Sequence, residues 1–161
     1  LIDIASVLKQ NEIDFSIDIL GYGDLQIELE NYAKERQVDE HIFFRGNVRN
    51  VEDYLKNANV YVHPAKYEPF GLVLIEAMAS GLPVISLDGR GNRDIMQHGK
   101  NGFIFKEENS SIFVDALKQL FADSERYLEI SNYSRNFAKN YDIGSYVDRL
   151  LELYFSKLIN E

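Results

Sequence analysis

Residues 71–87 constrain the fold most. Gly71 to Ser80 has the length of a short helix and is apolar almost all round, and a helix without a polar face is expected to be buried. Gly81 ends it and Pro83 blocks its continuation. Val84-Ile85-Ser86-Leu87 then reads as a near-continuous apolar strand, the pattern of a strand covered on both faces of a parallel sheet. A buried helix leading directly into such a strand points to a layered α/β architecture.

The rest of the chain repeats this alternation. Further helices are expected over 1–10, 24–36, 51–57, 92–98, 110–122, 124–139 and 143–159, and further strands over 15–20, 41–44, 59–63 and 102–105. Asp24 is placed to cap the second helix, with Leu25, Ile27, Leu29 and Tyr32 supplying much of its apolar content. The stripe Tyr146, Leu150, Leu153 and Tyr154 of the last helix reads as core. Five short strands, mostly joined by helices, imply a parallel sheet with helices on both faces. Ligands bind at the carboxyl ends of such strands, which directs attention to loops 21–24, 45–50, 64–71, 88–93 and 99–102.

The 161 residues fit one domain with a sizeable core. The chain opens on Leu1, directly in an amphipathic helix with no capping residue ahead of it, and this reads as a chain whose upstream segment has been removed. No run is apolar for long enough to span a bilayer, and no secretory leader is visible. Cysteine is absent, which excludes a disulfide scaffold and a thiolate zinc site and suits a reducing cytoplasm. The net charge of −9 argues against nucleic acid as a main partner. That charge is uneven. Residues 1–40 carry 3 basic and 10 acidic side chains, residues 41–100 carry 7 and 6, and residues 101–161 carry 7 and 10. The middle third is the least repulsive ground for an anion such as phosphate; random scatter of surface charge explains the count equally well.

The stretch Glu68 to Val84 also holds the most informative chemistry. Glu68 lies in a loop after a strand, and Glu76 lies eight positions on, inside the following helix. A bare carboxylate buried among Leu72, Val73, Leu74, Ile75, Ala77 and Met78 is costly, so Glu76 must meet solvent, an internal partner or a ligand. At the helix start the N–H groups of Phe70, Gly71 and Leu72 lack intrahelical acceptors, and they form a donor cluster suited to phosphate or sugar oxygens. Gly71 either admits a ligand to the backbone or simply eases a sharp turn. Glu76 sits about 7.5 Å further along the axis, an offset that suits two groups of one extended ligand.

Other features are weaker. Gly21-Tyr22-Gly23 follows a strand and is either a phosphate-approach loop or a plain turn; the third glycine of the dinucleotide fingerprint would fall at Gln26. His41, His63 and His98 show no metal-ligand spacing, and no metal site is expected. His63 ends a strand beside the candidate site. Lys66, Arg90 and Arg93 lie on site-side loops and either neutralise phosphate or face water. Asn101-Gly102 reads as a turn.

Taken together, these residues carry a resemblance. The run E-P-F-G-L-V-L-I-E-A-M-A-S-G-L-P-V at Glu68–Val84 resembles the signature of the large retaining glycosyltransferase family often called family four, or glycosyl transferases group 1, including its E-x7-E motif. Leu20-Gly21-Tyr22-Gly23, Phe44-Arg45-Gly46-Asn47-Val48, Ala58 to Pro64 and His98 to Phe103 are similar to it in the same order. The resemblance implies the C-terminal, Rossmann-like half of a GT-B fold, with an N-terminal acceptor domain and the first strand of the sheet both missing. It also implies a UDP-, GDP- or ADP-sugar as donor and no metal or other cofactor. By the same resemblance Glu68 is the catalytic carboxylate at the donor sugar. Glu76 binds the ribose hydroxyls, and the amides of Phe70, Gly71 and Leu72 bind sugar and phosphate. Gly46, Asn47 and Val48 flank the base, and Gly21 and Gly23 approach the diphosphate.

The departures are specific. The family's Gly-Arg and Lys that grip the pyrophosphate precede the helix that begins here at Leu1, and Gly91-Asn92-Arg93-Asp94 matches the family's acidic pair only in part. The expected function is transfer of a sugar, with retention, to a glycan or lipid-linked acceptor bound by the missing domain. The expected setting is cytoplasmic or peripheral to the inner face of a membrane. The alternatives are a non-catalytic Rossmann-like nucleotide-binding or regulatory module, and a GT-B sugar-nucleotide epimerase or phosphorylase.

Overall fold

The structure is a computed structural model that describes residues 1–158. Five strands form, β1 (Ile17–Leu20), β2 (Ile42–Gly46), β3 (Tyr61–His63), β4 (Val84–Leu87) and β5 (Gly102–Phe105). The helices are α1 (Ile2–Gln10), α2 (Gln26–Glu35), α3 (Val51–Asn57), α4 (Leu72–Ala79), α5 (Asn92–Ile95), α6 (Ser110–Ala122), α7 (Ser124–Ala138) and α8 (Ile143–Leu158). Residue 159, expected as the end of the last helix, lies outside the described residues.

All pairings between strands are parallel, but they fall into two sheets. β1 pairs with β2, with Ile17 opposite Ile42, and β3, β4 and β5 form a separate sheet with β4 in the middle. The fold is the expected α/β arrangement, because successive side chains of a strand point to opposite faces and both faces of β4 are covered. Ile85 and Leu87 join one core with Phe103, Ile4 and Leu8 of α1, and Phe113, Leu117 and Leu120 of α6. Val84 joins a second core with Leu74, Ala77 and Met78 of α4 and Ala138 of α7. A third core, Ile2, Ala5, Ala33, Val38 and Ile42, lies on the first sheet. α1 spans the two sheets, since it gives Ile4 and Leu8 to one core and Ile2 and Ala5 to another.

Three expectations are corrected. Asp24 does not cap α2; Leu25 occupies the N-cap position without a side-chain bond, and Leu25, Ile27 and Leu29 are exposed. Ala33 is the residue that α2 buries, because the helix lies on the small first sheet by that side only. Helix α4 is not buried all round. Leu74, Ile75, Ala77 and Met78 are buried, whereas Leu72, Glu76 and Ala79 follow one another along an open face. Tyr146, Leu150, Leu153 and Tyr154 of α8 are exposed and belong to none of the three cores, since α8 adjoins mainly the turn at 139–141. Among the described residues no helix is long and apolar enough to cross a membrane.

Candidate functional site

The site begins where β3 ends. Pro64 stops the strand, and the chain loops through 64–71 before α4. Gly71 is the N-cap of α4 at φ +71°, a conformation that costs other residues strain and lets the chain turn abruptly into the helix. Glu68 closes this turn. Its Oε1 accepts from the Gly71 N–H at 3.0 Å and from the Phe70 N–H at 3.4 Å. A carboxylate there meets the positive end of the helix dipole. Of the three free amides expected from the sequence, two are therefore held by Glu68. The amides of Leu72 and Val73 find no acceptor among the described residues.

The other carboxylate oxygen of Glu68 faces His63. Its Oε2 lies 3.8 Å from His63 Nε2, too far for a hydrogen bond. That nitrogen is buried and has no hydrogen-bond partner among the described residues. Burial pushes the His63 pKa below its ordinary value, and the Glu68 charge only partly opposes this. Glu76 is exposed on the open side of α4, and its carboxylate makes no hydrogen bond or ion pair among the described residues. The alternative of an internally satisfied acid is thereby removed. Tyr61 of β3 links the two acids. Its pKa is pushed up to about 12, first by burial and then by the negative charges of Glu68 and Glu76. Both carboxylates thus lie within electrostatic reach of one phenol.

A second loop backs the first. Asn92, at the start of α5, is fully buried, and its Nδ2 donates to Leu87 O at 2.9 Å and to Ala65 O at 3.4 Å. Tyr67 and Arg90 form an isolated parallel bridge between the loops. Of the three cations singled out, Lys66 is ion-paired with Glu108 and Arg93 with Asp88 at 2.9 Å, whereas exposed Arg90 has no ion pair among the described residues. Asp94 is exposed.

The loops of the first sheet also meet. Gly21 N–H donates to Gly46 O at 2.8 Å, so the turn containing Gly23 and the turn leading to Asn47 and Val48 lie side by side. A Cβ added at Gly21, Gly23 or Gly46 would touch nothing within 4 Å, so each borders open space. The structure brings Glu68, Phe70, Gly71, Leu72 and Glu76 together in one place and Gly21 and Gly46 in another. Two shallow hollows lie away from the acid pair. One, of about 360 Å³, lies between α2 and β2, and the other, of about 340 Å³, lies between His98 and Arg126. Sequence reading missed Tyr61 and Asn92. Tyr61 gave no signal beyond being a strand residue, and Asn92 stood inside a motif judged only for its acid.

A protein-family model described as "Glycosyl transferases group 1" matches residues 1–137. Over 149 residues the chain is 30% identical to an uncharacterized glycosyltransferase of Haemophilus influenzae, covering 92% of this chain and 42% of that protein. It is 25% identical over 158 residues to a poly(ribitol-phosphate) alpha-N-acetylglucosaminyltransferase of Staphylococcus aureus, covering 97% of this chain and 32% of that one. The chain therefore spans less than half the length of these curated relatives. Among solved structures, Anabaena Alr3699/HepE in complex with UDP superposes with a TM-score of 0.86 at 21% identity, covering 97% of this chain and 44% of that one. TarM does so with a TM-score of 0.84 at 23% identity, covering 95% and 31%. Likenesses at this level of identity establish the α/β fold shared with GT-B glycosyltransferases. The chain belongs to the glycosyl transferases group 1 family.

Proposed function

We propose that this chain is the donor-binding part of a retaining glycosyltransferase of family four, and that it holds a nucleotide-diphosphate sugar across the start of α4. One observation carries the reading. Glu68 holds one oxygen on the amides at the start of α4, Glu76 stands on the open face of the same helix, and among the described residues neither forms an ion pair with Lys or Arg. An ionised carboxylate open to solvent beside the start of a helix is free to accept from a ligand's hydroxyls.

The roles follow from position. Glu76, one turn inside α4 and open to solvent, accepts from the ribose hydroxyls. The unsatisfied amides of Leu72 and Val73 meet a phosphate or sugar oxygen at the positive helix end. Glu68 keeps Oε1 on the Phe70 and Gly71 amides and presents Oε2 to the donor sugar, where it stabilises positive charge developing at the anomeric carbon. As the bond to the β-phosphate oxygen breaks, negative charge gathers on the departing diphosphate, and helix-end amides with Arg90 stabilise it. Gly21 and Gly23 admit the diphosphate closely, and Gly46, Asn47 and Val48 flank the base. UDP is the first nucleotide to test, because the structurally similar Alr3699/HepE was solved in complex with it, and GDP and ADP are the comparisons. No metal or other cofactor is assigned a part.

The acceptor, a glycan or lipid-linked sugar, sits on an N-terminal acceptor domain outside this chain, and the two halves close over the donor. The full-length enzyme works in the cytoplasm, against the inner face of a membrane where its acceptor is lipid-linked. By itself the 161-residue chain binds donor and does not transfer sugar. Calorimetry with UDP, GDP, ADP and NAD tests this reading. One nucleoside diphosphate is expected to bind, and Glu76→Ala to weaken it by about 1–3 kcal/mol, the range for a lost charged hydrogen bond. Equal affinity for NAD, or no effect of Glu76→Ala, contradicts it.

A further inference from the structure

The loop that carries Glu68 has little regular structure of its own, yet Glu68 must hold one oxygen on two amides and the other beside His63. Its support comes from the next loop. Gly89 and Gly91 lie directly on the Glu68 loop. A Cβ on Gly89 would fall 2.5 Å from Lys66 O, and one on Gly91 would fall 2.2 Å from Glu68 O. The Tyr67–Arg90 bridge lies between these two contacts. Residues 89–91 therefore form a close-fitting backing for residues 66–68.

Asn92 fixes that backing to the sheet. Its Nδ2 spans Leu87 O at the end of β4 and Ala65 O in the loop after β3. Its Oδ1 is buried without a hydrogen-bond partner among the described residues, which costs stability. An apolar side chain would avoid that cost, so the tie made by Nδ2 is the feature with something to explain. β4 is buried along its whole length, so a link from its last carbonyl gives loop 64–71 a close-packed reference.

We infer that Asn92 is a positioning residue for Glu68: it pins loop 64–71 to the end of β4 and so sets the height of the Glu68 carboxylate above His63. The inference rests on the reading of Glu68 as the donor-facing acid only for its consequence in binding. The pin itself is a statement about this chain alone.

The test compares wild-type chain with Asn92→Leu, which keeps the branched shape with more bulk and removes both polar atoms, and with Asn92→Asp, which keeps the shape and removes the donor. Amide hydrogen exchange is followed at Gly71, whose N–H bonds to Glu68, and at Val84, whose N–H donates to Asn101 O at 3.1 Å. The expected result is at least tenfold faster exchange at Gly71 with Val84 unchanged, in either variant. Gly71 exchange at the wild-type rate with the fold intact overturns the inference. So does loss of Val84 protection in both variants, since Asn92 then serves the whole fold.

A second readout separates positioning from general stability. Asn92→Leu is expected to bind UDP within twofold of wild type but to lose any preference for UDP-glucose over UDP. An equal fall for both ligands contradicts a role aimed at Glu68. Failure of the wild-type chain to bind either ligand counts against the donor-site reading and leaves the exchange result to decide the pin.

Discussion

At the scale of single residues, the account turns on one carboxylate and the ring beside it. His63 is only 14% exposed at its side chain, and burial holds its pKa below 6.5. Above pH 6.5 the ring is neutral in the folded and unfolded chain alike. Below that value the unfolded chain takes up a proton that the folded ring resists, so stability falls as pH drops through the lower folded pKa. Thermal melting between pH 5 and 7 is expected to show this decline, and His63→Phe is expected to flatten it. Glu68 opposes the depression, so in Glu68→Gln the His63 midpoint, followed by NMR titration, moves lower still; an unchanged midpoint contradicts the placement of Glu68 beside the ring. The same substitution keeps an oxygen for the Phe70 and Gly71 amides and removes the charge. In the full-length enzyme it is expected to lower kcat by roughly 100-fold or more, the range for losing a charge-stabilising group, with little effect on melting. Glu76 was legible in the sequence because an acid among apolar helix residues demands an explanation, and Glu68 because it opens the E-x7-E run that carries the family resemblance. Tyr61 and Asn92 were not, because their meaning depends on which strand ends and loops come together.

At the scale of elements, the strand positions were legible and their surroundings less so. Val84–Leu87 and Gly102–Phe105 form as expected, because unbroken apolar runs bounded by Gly and Pro have few other uses. α4 was read as buried throughout, since its sequence has almost no polar face, yet Leu72, Glu76 and Ala79 stay open. Hydrophobicity alone does not separate a core-facing side from a side that waits for a ligand or another domain. The same ambiguity misled the reading of α2, where three large apolar residues face outward and Ala33 makes the contact. The β4–β5 pairing offers a sharp test of the observed register. Gly102 lies opposite Val84, and a Cβ there would fall 1.8 Å from Val84 O. Gly102→Ala is expected to cost about 3 kcal/mol or more, at the upper end of overpacking penalties. Denaturant unfolding measures it, and a loss below about 1 kcal/mol contradicts this register.

At the scale of the whole molecule, two parallel sheets are joined by α1 and present separate sets of open loops, Gly21–Gly46 on one and Glu68–Glu76 on the other. The split into two sheets was not legible, because strand order depends on pairings that no local pattern encodes. Large apolar residues are exposed on α2, α4 and α8, among them Ile27, Leu72 and Leu153. The central claim is that one nucleotide-sugar lies across the start of α4. The most direct measurement is an amide chemical-shift map of the chain titrated with UDP-, GDP- and ADP-sugars. The account predicts that one of them shifts the signals of Phe70, Gly71, Leu72 and Val73 together with Gly21 and Gly46, and that Glu76→Ala moves the same response to higher ligand concentration. Shifts confined to the hollows beside α2 or His98, or none with any of the three donors, would contradict it.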